Sequence, residues 1–185
     1  MRKNATQRMY GLFAASWYDP FQKLWGPKKN VEDAFVSKLR AFSNKETKIL
    51  DLGCGTGENY RRLKKNKIPF KEYLGVDITP EMLAQAKRKF PQGHFREGNI
   101  ETIKEGYDLI ISSWLFEHLT PEQRQNILRR KAKHLHMYLG GRKSYNPLLK
   151  LFAYLFHFSF VNDKELNGNK THYGVATTIL ESEKI

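Results

Sequence analysis

The sequence predicts an α/β fold, a doubly wound, mostly parallel sheet with helices on both faces. Three observations predict it. From Lys48 onward, short apolar runs alternate with amphipathic stretches, the texture of strands and helices in turn. Two of the amphipathic stretches open on Thr79-Pro80 and Thr120-Pro121, where threonine caps a helix and proline's missing N–H is harmless. A glycine-rich turn, Gly53-Cys54-Gly55-Thr56-Gly57, joins the first apolar run to the polar stretch after it. Such alternation implies a parallel sheet, and right-handed crossovers bring the carboxyl ends of its strands to one edge.

Residues 1–43 read as an aromatic helical cap, broken at Trp17-Tyr18-Asp19-Pro20 and again at Gly26-Pro27. Asn30 caps its last helix, whose apolar face is Val31, Ala34, Phe35, Leu39 and Phe42. Lys48 to Leu52 is the first strand, and a polar helix from about Glu58 to Asn66 follows the glycine turn. Tyr73 to Asp77 is the second strand, and the helix after it buries Met82, Leu83, Ala86 and Phe90. A weak strand at His94 to Arg96 precedes a stronger one at Tyr107 to Ser112. The helix opened by Thr120 carries Ile127, Leu128, Ala132 and Leu135 on its buried face.

Beyond the Tyr138-Leu139-Gly140-Gly141 turn a fifth strand is expected at Arg142-Lys143-Ser144-Tyr145, although it is polar for a buried parallel strand. Leu148 to Val161 fits either the helical or the strand period, and Tyr173 to Leu180 fits a strand. Only 44 residues follow Gly141. The C-terminal strands are therefore expected to be shortened or missing, which leaves a sheet edge for a homodimer to cover.

Length supports one domain. The 32 Lys and Arg outnumber 19 Asp and Glu, a formal net charge of +13, so anionic partners are favoured. Cys54 is the single cysteine, which excludes an internal disulfide framework and argues against a thiolate zinc site. The basic start is followed by residues broken by Thr6, Gln7, Arg8 and Tyr10, unlike a signal peptide. No apolar run reaches the roughly 18 residues of a membrane span. The reading is a cytoplasmic protein without a metal.

Ligands of open parallel sheets bind outside the carboxyl ends of the strands. Three such ends carry chemistry here: Asp51 with Gly53, Gly55 and Gly57; Asp77, 20 residues after Gly57; and Gly98-Asn99-Ile100. Bare glycine backbone lets a ligand lie close, and a carboxylate at the second strand end accepts from the hydroxyls of a ribose. The third glycine comes two residues after the second, not the three of the dinucleotide fingerprint. Asp51 at the head of the turn repels a diphosphate and suits a ligand with a cationic end, an ammonium or a sulfonium.

Ile49-Leu50-Asp51-Leu52-Gly53-Cys54-Gly55-Thr56-Gly57 resembles the first motif of the class I S-adenosylmethionine-dependent methyltransferases. Leu74-Gly75-Val76-Asp77-Ile78-Thr79-Pro80-Glu81-Met82-Leu83 resembles the second, and Phe95-Arg96-Glu97-Gly98-Asn99-Ile100 the third, with Asn99 where the family more often has Asp. Tyr107 to Ser112 with Phe116-Glu117-His118-Leu119 resembles the fourth strand and loop of the small-molecule branch. The resemblance implies a Rossmann-like fold. It also implies a division into the cap at 1–43, a cofactor-binding core at 45–142 and an abbreviated C-terminal part at 143–185.

The cofactor so implied is S-adenosyl-L-methionine. The resemblance further implies that Gly53, Cys54, Gly55 and Gly57 shape the turn beneath it, and that Asp51 meets the methionine ammonium. Asp77 holds the ribose, Ile78 and Met82 pack on the adenine, and Asn99 and Ile100 border its edge. Ser113 offers backbone to the methionine part, and Tyr10 or Tyr18 covers the cofactor. His118 is the candidate general base, with Glu117 second; Cys54 reads as a small filler of the turn rather than a nucleophile.

The Asn/Asp-Pro-Pro-Tyr box of base-amino methyltransferases is missing; Ser112-Ser113-Trp114-Leu115 stands there. The reading is methyl transfer to a small-molecule or lipid-type acceptor by in-line displacement. Two alternatives stay open: an RNA methyltransferase, and a binding protein that keeps the cofactor pocket without catalysis. Two basic clusters, Arg61 to Lys67 and Arg129 to His134, are candidates for RNA phosphates or an anionic membrane surface.

Overall fold

The computed structural model describes residues 11, 29–103, 106–139, 166, 168–173 and 177–183. Helix α1 (Lys29–Phe42) leads into β1 (Lys48–Leu52), α2 (Glu58–Lys65), β2 (Glu72–Asp77), α3 (Pro80–Lys89) and β3 (Phe95–Glu97). A 3-10 turn (Ile100–Thr102), β4 (Leu109–Ser113) and a second 3-10 turn (Phe116–His118) follow. Then come α4 (Pro121–Leu128), β5 (Lys133–Leu139), β6 (Asn169–Tyr173) and β7 (Thr177–Glu183).

The seven strands form one sheet in the order β3-β2-β1-β4-β5-β7-β6. The first five are parallel; β7 runs antiparallel to β5, and β6 antiparallel to β7. Strand order reverses direction between β1 and β4, so the crevice above them is the topological switch point where such sheets take ligands.

Both faces of β1 are covered, which is why Ile49, Leu50 and Leu52 form a nearly unbroken apolar run. On one face Ile49 packs with Phe35 and Leu39 of α1, Leu63 of α2 and Leu83 and Ala86 of α3. On the other, Leu50 and Leu52 pack with Phe116, with Ile127 and Leu128 of α4 and with Tyr138. Truncating a fully buried ring such as Phe35 to alanine should cost about 3–5 kcal/mol.

The fifth strand lies at Lys133–Leu139, not at 142–145. The helix before it ends at Leu128, so Ala132 sits in the connection and Leu135 on the strand. Two effects hid this strand. Leu128, Ala132 and Leu135 happen to sit at helical spacing. The buried alternate positions His134 and His136 are polar, which masks the strand's apolar period.

These histidines are satisfied by one another. His134 Nε2 lies 3.0 Å from the Arg130 carbonyl oxygen and must donate to it. Its Nδ1 then accepts from His136 Nε2 at 3.3 Å, and His136 Nδ1 accepts from Ser112 Oγ at 2.9 Å. The chain is complete with both rings neutral. His136 also stacks on Phe116, with centroids 4.4 Å apart.

The expectation of shortened or missing C-terminal strands is overturned: β7 pairs with β5 over seven residues, and β6 extends the sheet beyond it. The sheet edge that motivated a homodimer is thus occupied by the chain itself. The length after Gly141 misled because an antiparallel hairpin needs no helical crossover. Residues 1–10, 12–28, 140–165, 174–176 and 184–185 lie outside the described residues, as do 104, 105 and 167. Tyr10, Tyr18, the 142–145 segment and Leu148 to Val161 all fall there.

At the amino-terminal edge of the sheet the helices end, and each of the first three ends in cations. These are Arg40 in α1, Lys64 and Lys65 in α2, and Lys87, Arg88 and Lys89 in α3.

Candidate active site

The opposite edge begins with the glycine turn. Gly53, Gly55 and Gly57 adopt φ of 63°, 53° and 87°, left-handed values that strain any side-chain-bearing residue. At Gly57 a Cβ would also stand 2.9 Å from Phe90 Cδ2. The turn is pinned by Cys54 N–H to the Val76 carbonyl (3.1 Å) and Gly57 N–H to the Cys54 carbonyl (2.9 Å).

Asp77, at the end of β2, is tied to this turn. One carboxylate oxygen accepts the Gly55 N–H at 2.9 Å, and the other accepts the Thr79 N–H at 2.8 Å. Burial raises its pKa, while these backbone donors act the other way. The Thr79 hydroxyl and the Ile78 N–H bond to it as well and lower its pKa in the same sense.

Asp51 lies behind the turn rather than in it. It is fully buried, and its oxygens accept from Tyr73 Oη at 2.6 Å and Asn59 Nδ2 at 2.8 Å. Burial pushes its pKa up to about 7, against the lowering effect of these two hydrogen bonds and of Arg62. Burial also keeps the Cys54 thiol protonated, with the Asp51 charge adding to the shift. This agrees with Cys54 as a filler of the turn.

From Asp51 the polar network runs toward the crevice. Asn59 Oδ1 accepts from Arg62 at 2.7 Å and from Ser113 Oγ at 2.9 Å. Arg62, almost wholly buried, pairs with Glu32 of α1 at 2.9 Å and donates to Ser113 Oγ at 3.3 Å. The crevice itself is lined by Gly53, Cys54, Gly55, Asn59, Arg62, Ser113 and Trp114, together with Thr56 and Glu58. Trp114 is a residue with positive φ, 59°, strain of the kind found where a site over-determines its backbone. Its indole Nε1 is buried without an acceptor among the described residues.

The structure therefore brings Gly53, Cys54, Gly55 and Ser113 together, with Asp77 joined through Gly55 and Asp51 one layer behind. Gly57 closes the turn. Met82 packs over it, its Cε 3.6 Å from where a Gly55 Cβ would stand. Ile78 is half-buried next to Asp77. Asn99 is exposed and caps the Ile100–Thr102 turn through the Glu101 N–H at 3.0 Å, while Ile100 is buried in the core beside Leu52 and Val76. His118 sits in the turn after β4 and is not among the residues lining the crevice. Burial lowers its pKa to about 4. Tyr18 falls outside the described residues.

Sequence reading missed Asn59, Arg62 and Trp114. Asn59 and Arg62 stand three apart, the spacing of one helix face, but a polar pair there reads as solvated. Only burial shows that it points inward.

The family described as a methyltransferase domain matches residues 49–137, which run from β1 into β5 and include the glycine turn and Asp77. Over these residues, a little under half of its length, the chain is similar to the class I S-adenosylmethionine-dependent methyltransferases. Among the relatives of this chain, trans-aconitate 2-methyltransferase of Deinococcus radiodurans is 34% identical over 106 residues, 51% of this chain and 41% of the relative. Malonyl-[acyl-carrier protein] O-methyltransferase of a Paenibacillus species is 26% identical over 172 residues, 84% of this chain and 61% of the relative. The chain thus spans less than two thirds of these relatives' length. Magnesium protoporphyrin IX methyltransferase from Synechocystis, solved with S-adenosylhomocysteine, shares the fold. Its TM-score is 0.69 at 16% identity, over 97% of this chain and 100% of that one.

Proposed function

We propose that this chain transfers the methyl group of S-adenosylmethionine to a small-molecule or lipid-type acceptor in the cytoplasm. The observation that carries the reading is a single crevice at the strand carboxyl ends. It combines the bare glycine turn, the Asp77 carboxylate bonded to that turn, and polar groups at its far wall. The fit to the cofactor is chemical. Asp77 offers a carboxylate acceptor for the ribose, and the glycine turn admits close approach. Trp114 Nε1, without an acceptor among the described residues, supplies a donor for the carboxylate of the amino-acid tail, and the buried Arg62 guanidinium, a cation lining the crevice, adds positive potential there. Asp51, when ionised, is the counter-charge for the ammonium.

The chemistry supplied by the bound cofactor is displacement at a sulfonium methyl with a neutral thioether leaving. The protein's task is alignment, for which effective-molarity arguments allow about 7–11 kcal/mol at best. Trp114 and Ser113, at the end of β4, border the methionine part and the acceptor side. His118 is neutral at pH 7 but, with a pKa near 4, a weak base. That matches an acceptor already ionised at neutral pH, such as a carboxylate, which needs no base. The non-catalytic alternative rested on an acceptor site lost through a short C-terminus, and the presence of β6 and β7 in the sheet speaks against it. Neither relative named above acts, by its name, on RNA.

The test is incubation of the purified chain with methyl-labelled cofactor and cell extract, followed by fractionation into lipid, RNA and small molecules. Label in small molecules or lipid supports the reading, and label confined to RNA overturns the acceptor class. Calorimetry with S-adenosylhomocysteine that shows no binding overturns the cofactor assignment.

A further inference from the structure

The parallel sheet sorts charge between its two edges. Glu58, Asp77, Glu81, Glu97, Glu101 and Glu117 all stand at the carboxyl-end edge or at the starts of helices leaving it. Arg61 and Arg62, in the helix that leaves the glycine turn, are turned inward onto Glu32 and Glu58. At the opposite edge lie the neighbouring ends of α2 and α3, packed on the same face of the sheet. There Lys64, Lys65, Lys67, Lys87, Arg88 and Lys89 are all exposed. Five of them, Lys89 aside, have no carboxylate partner among the described residues. The acids on that edge are already engaged: Glu46 pairs with Lys71 at 3.2 Å, Glu72 with Lys48 at 3.8 Å, and Asp108 accepts the Lys48 N–H at 2.8 Å.

We infer that this edge is a docking surface for an anionic lipid bilayer. Helix dipoles alone favour cations in a last turn, but the effect fades within that turn. It does not account for Lys67, beyond the end of α2. Lys67 moreover holds a left-handed φ of 52°, a conformation where glycine or asparagine is usual. Uncompensated like charges within a screening length of roughly 8 Å repel one another, and an anionic surface relieves that repulsion.

The chemistry favours lipid over nucleic acid. Five of the six cations are lysines, point charges suited to diffuse attraction rather than to the bidentate grip of arginine. No Phe, Tyr or Trp is exposed among the described residues whose burial is known, so the described part of this edge offers bases no stacking platform. Docked this way, the strand carboxyl ends face away from the membrane, toward solutes. The inference rests on surface charge and stands whether or not the methyl-transfer reading does.

The test is co-sedimentation of the chain with phosphatidylcholine vesicles, with and without about one-third phosphatidylserine. The second protein is the Lys64→Gln, Lys65→Gln, Lys87→Gln, Arg88→Gln variant. Binding should require phosphatidylserine and fall steeply as salt is raised. In the variant it should weaken by about fivefold per cation removed, several hundredfold for all four. Circular dichroism checks that the variant is folded; should it not fold, the Lys64→Gln, Lys65→Gln pair should still lose about 25-fold. Equal binding to neutral vesicles overturns the proposal, as does undiminished binding by the folded variant. So does binding to single-stranded polyuridine, lost in the variant, in a protein that ignores vesicles.

Discussion

Asp51 is a carboxyl group that the fold holds protonated well above its ordinary range, and Asp51→Asn should expose the cost of ionising it. Its pKa rises from 3.8 to about 7 because it is fully buried. A group whose folded pKa lies above its unfolded value stabilises the fold fully below the unfolded pKa. That stability is lost as pH rises through the folded pKa. At pH 5.5 the folded carboxyl is still mostly protonated, whereas at pH 8.5 it is ionised without water around it. With those two pKa values, linkage makes the wild type lose about 2 kcal/mol between these pH values on this account alone.

Asparagine is nearly the same shape and can be satisfied in place. Its oxygen accepts from Asn59, and its amide donates to the Tyr73 hydroxyl, which is free to rotate. The variant should therefore lack this slope. The assay is urea unfolding of both proteins at the two pH values, read as the change in their stability difference, which cancels groups common to both. Parallel pH profiles would refute the buried, protonated carboxyl. The same property predicts that cofactor binding releases a proton near neutral pH. Calorimetry in two buffers of different ionisation enthalpy detects that release, and Asp51→Asn should abolish it.

Asp77→Ala should weaken S-adenosylhomocysteine binding by about 1–3 kcal/mol, through lost charge-assisted bonds and the release of the Gly55 N–H. Unchanged calorimetric affinity would remove Asp77 from the site. Arg62→Gln should lower affinity for S-adenosylhomocysteine but leave methylthioadenosine, which lacks the amino-acid tail, bound as before. Equal loss for both ligands would mean that Arg62 acts only as a structural bridge to Glu32. His136, neutral because burial holds its pKa well below 6.5, makes the fold acid-sensitive. A depressed folded pKa gives stability that is present above pH 6.5 and is lost as pH falls below it. His136→Gln should flatten that loss by up to about 1.4 kcal/mol per pH unit, measured by urea unfolding between pH 5 and 7. An unchanged slope would show that His136 is not a titrating group in this window.

By itself the sequence determined the parallel core from β1 to β4, the glycine turn and the placing of Asp51 and Asp77 at strand ends. These depend on local rules: alternating periodicity, threonine-proline helix starts, and glycine where φ must be positive. Tertiary structure alone decided what depends on pairing across long separations. One example is β5, disguised by two histidines whose polarity is neutralised by Ser112 and the Arg130 carbonyl. Another is the hairpin of β6 and β7, which closes onto β5 from the far end of the chain. Only the folded chain could show that Asn59 and Arg62 point inward at Ser113, or that Asp51 lies behind the turn it opens. The same is true of the lysines of α2 and α3, which meet on one edge. Burial and the meeting of distant segments are properties of packed elements, and no local pattern of residues encodes them.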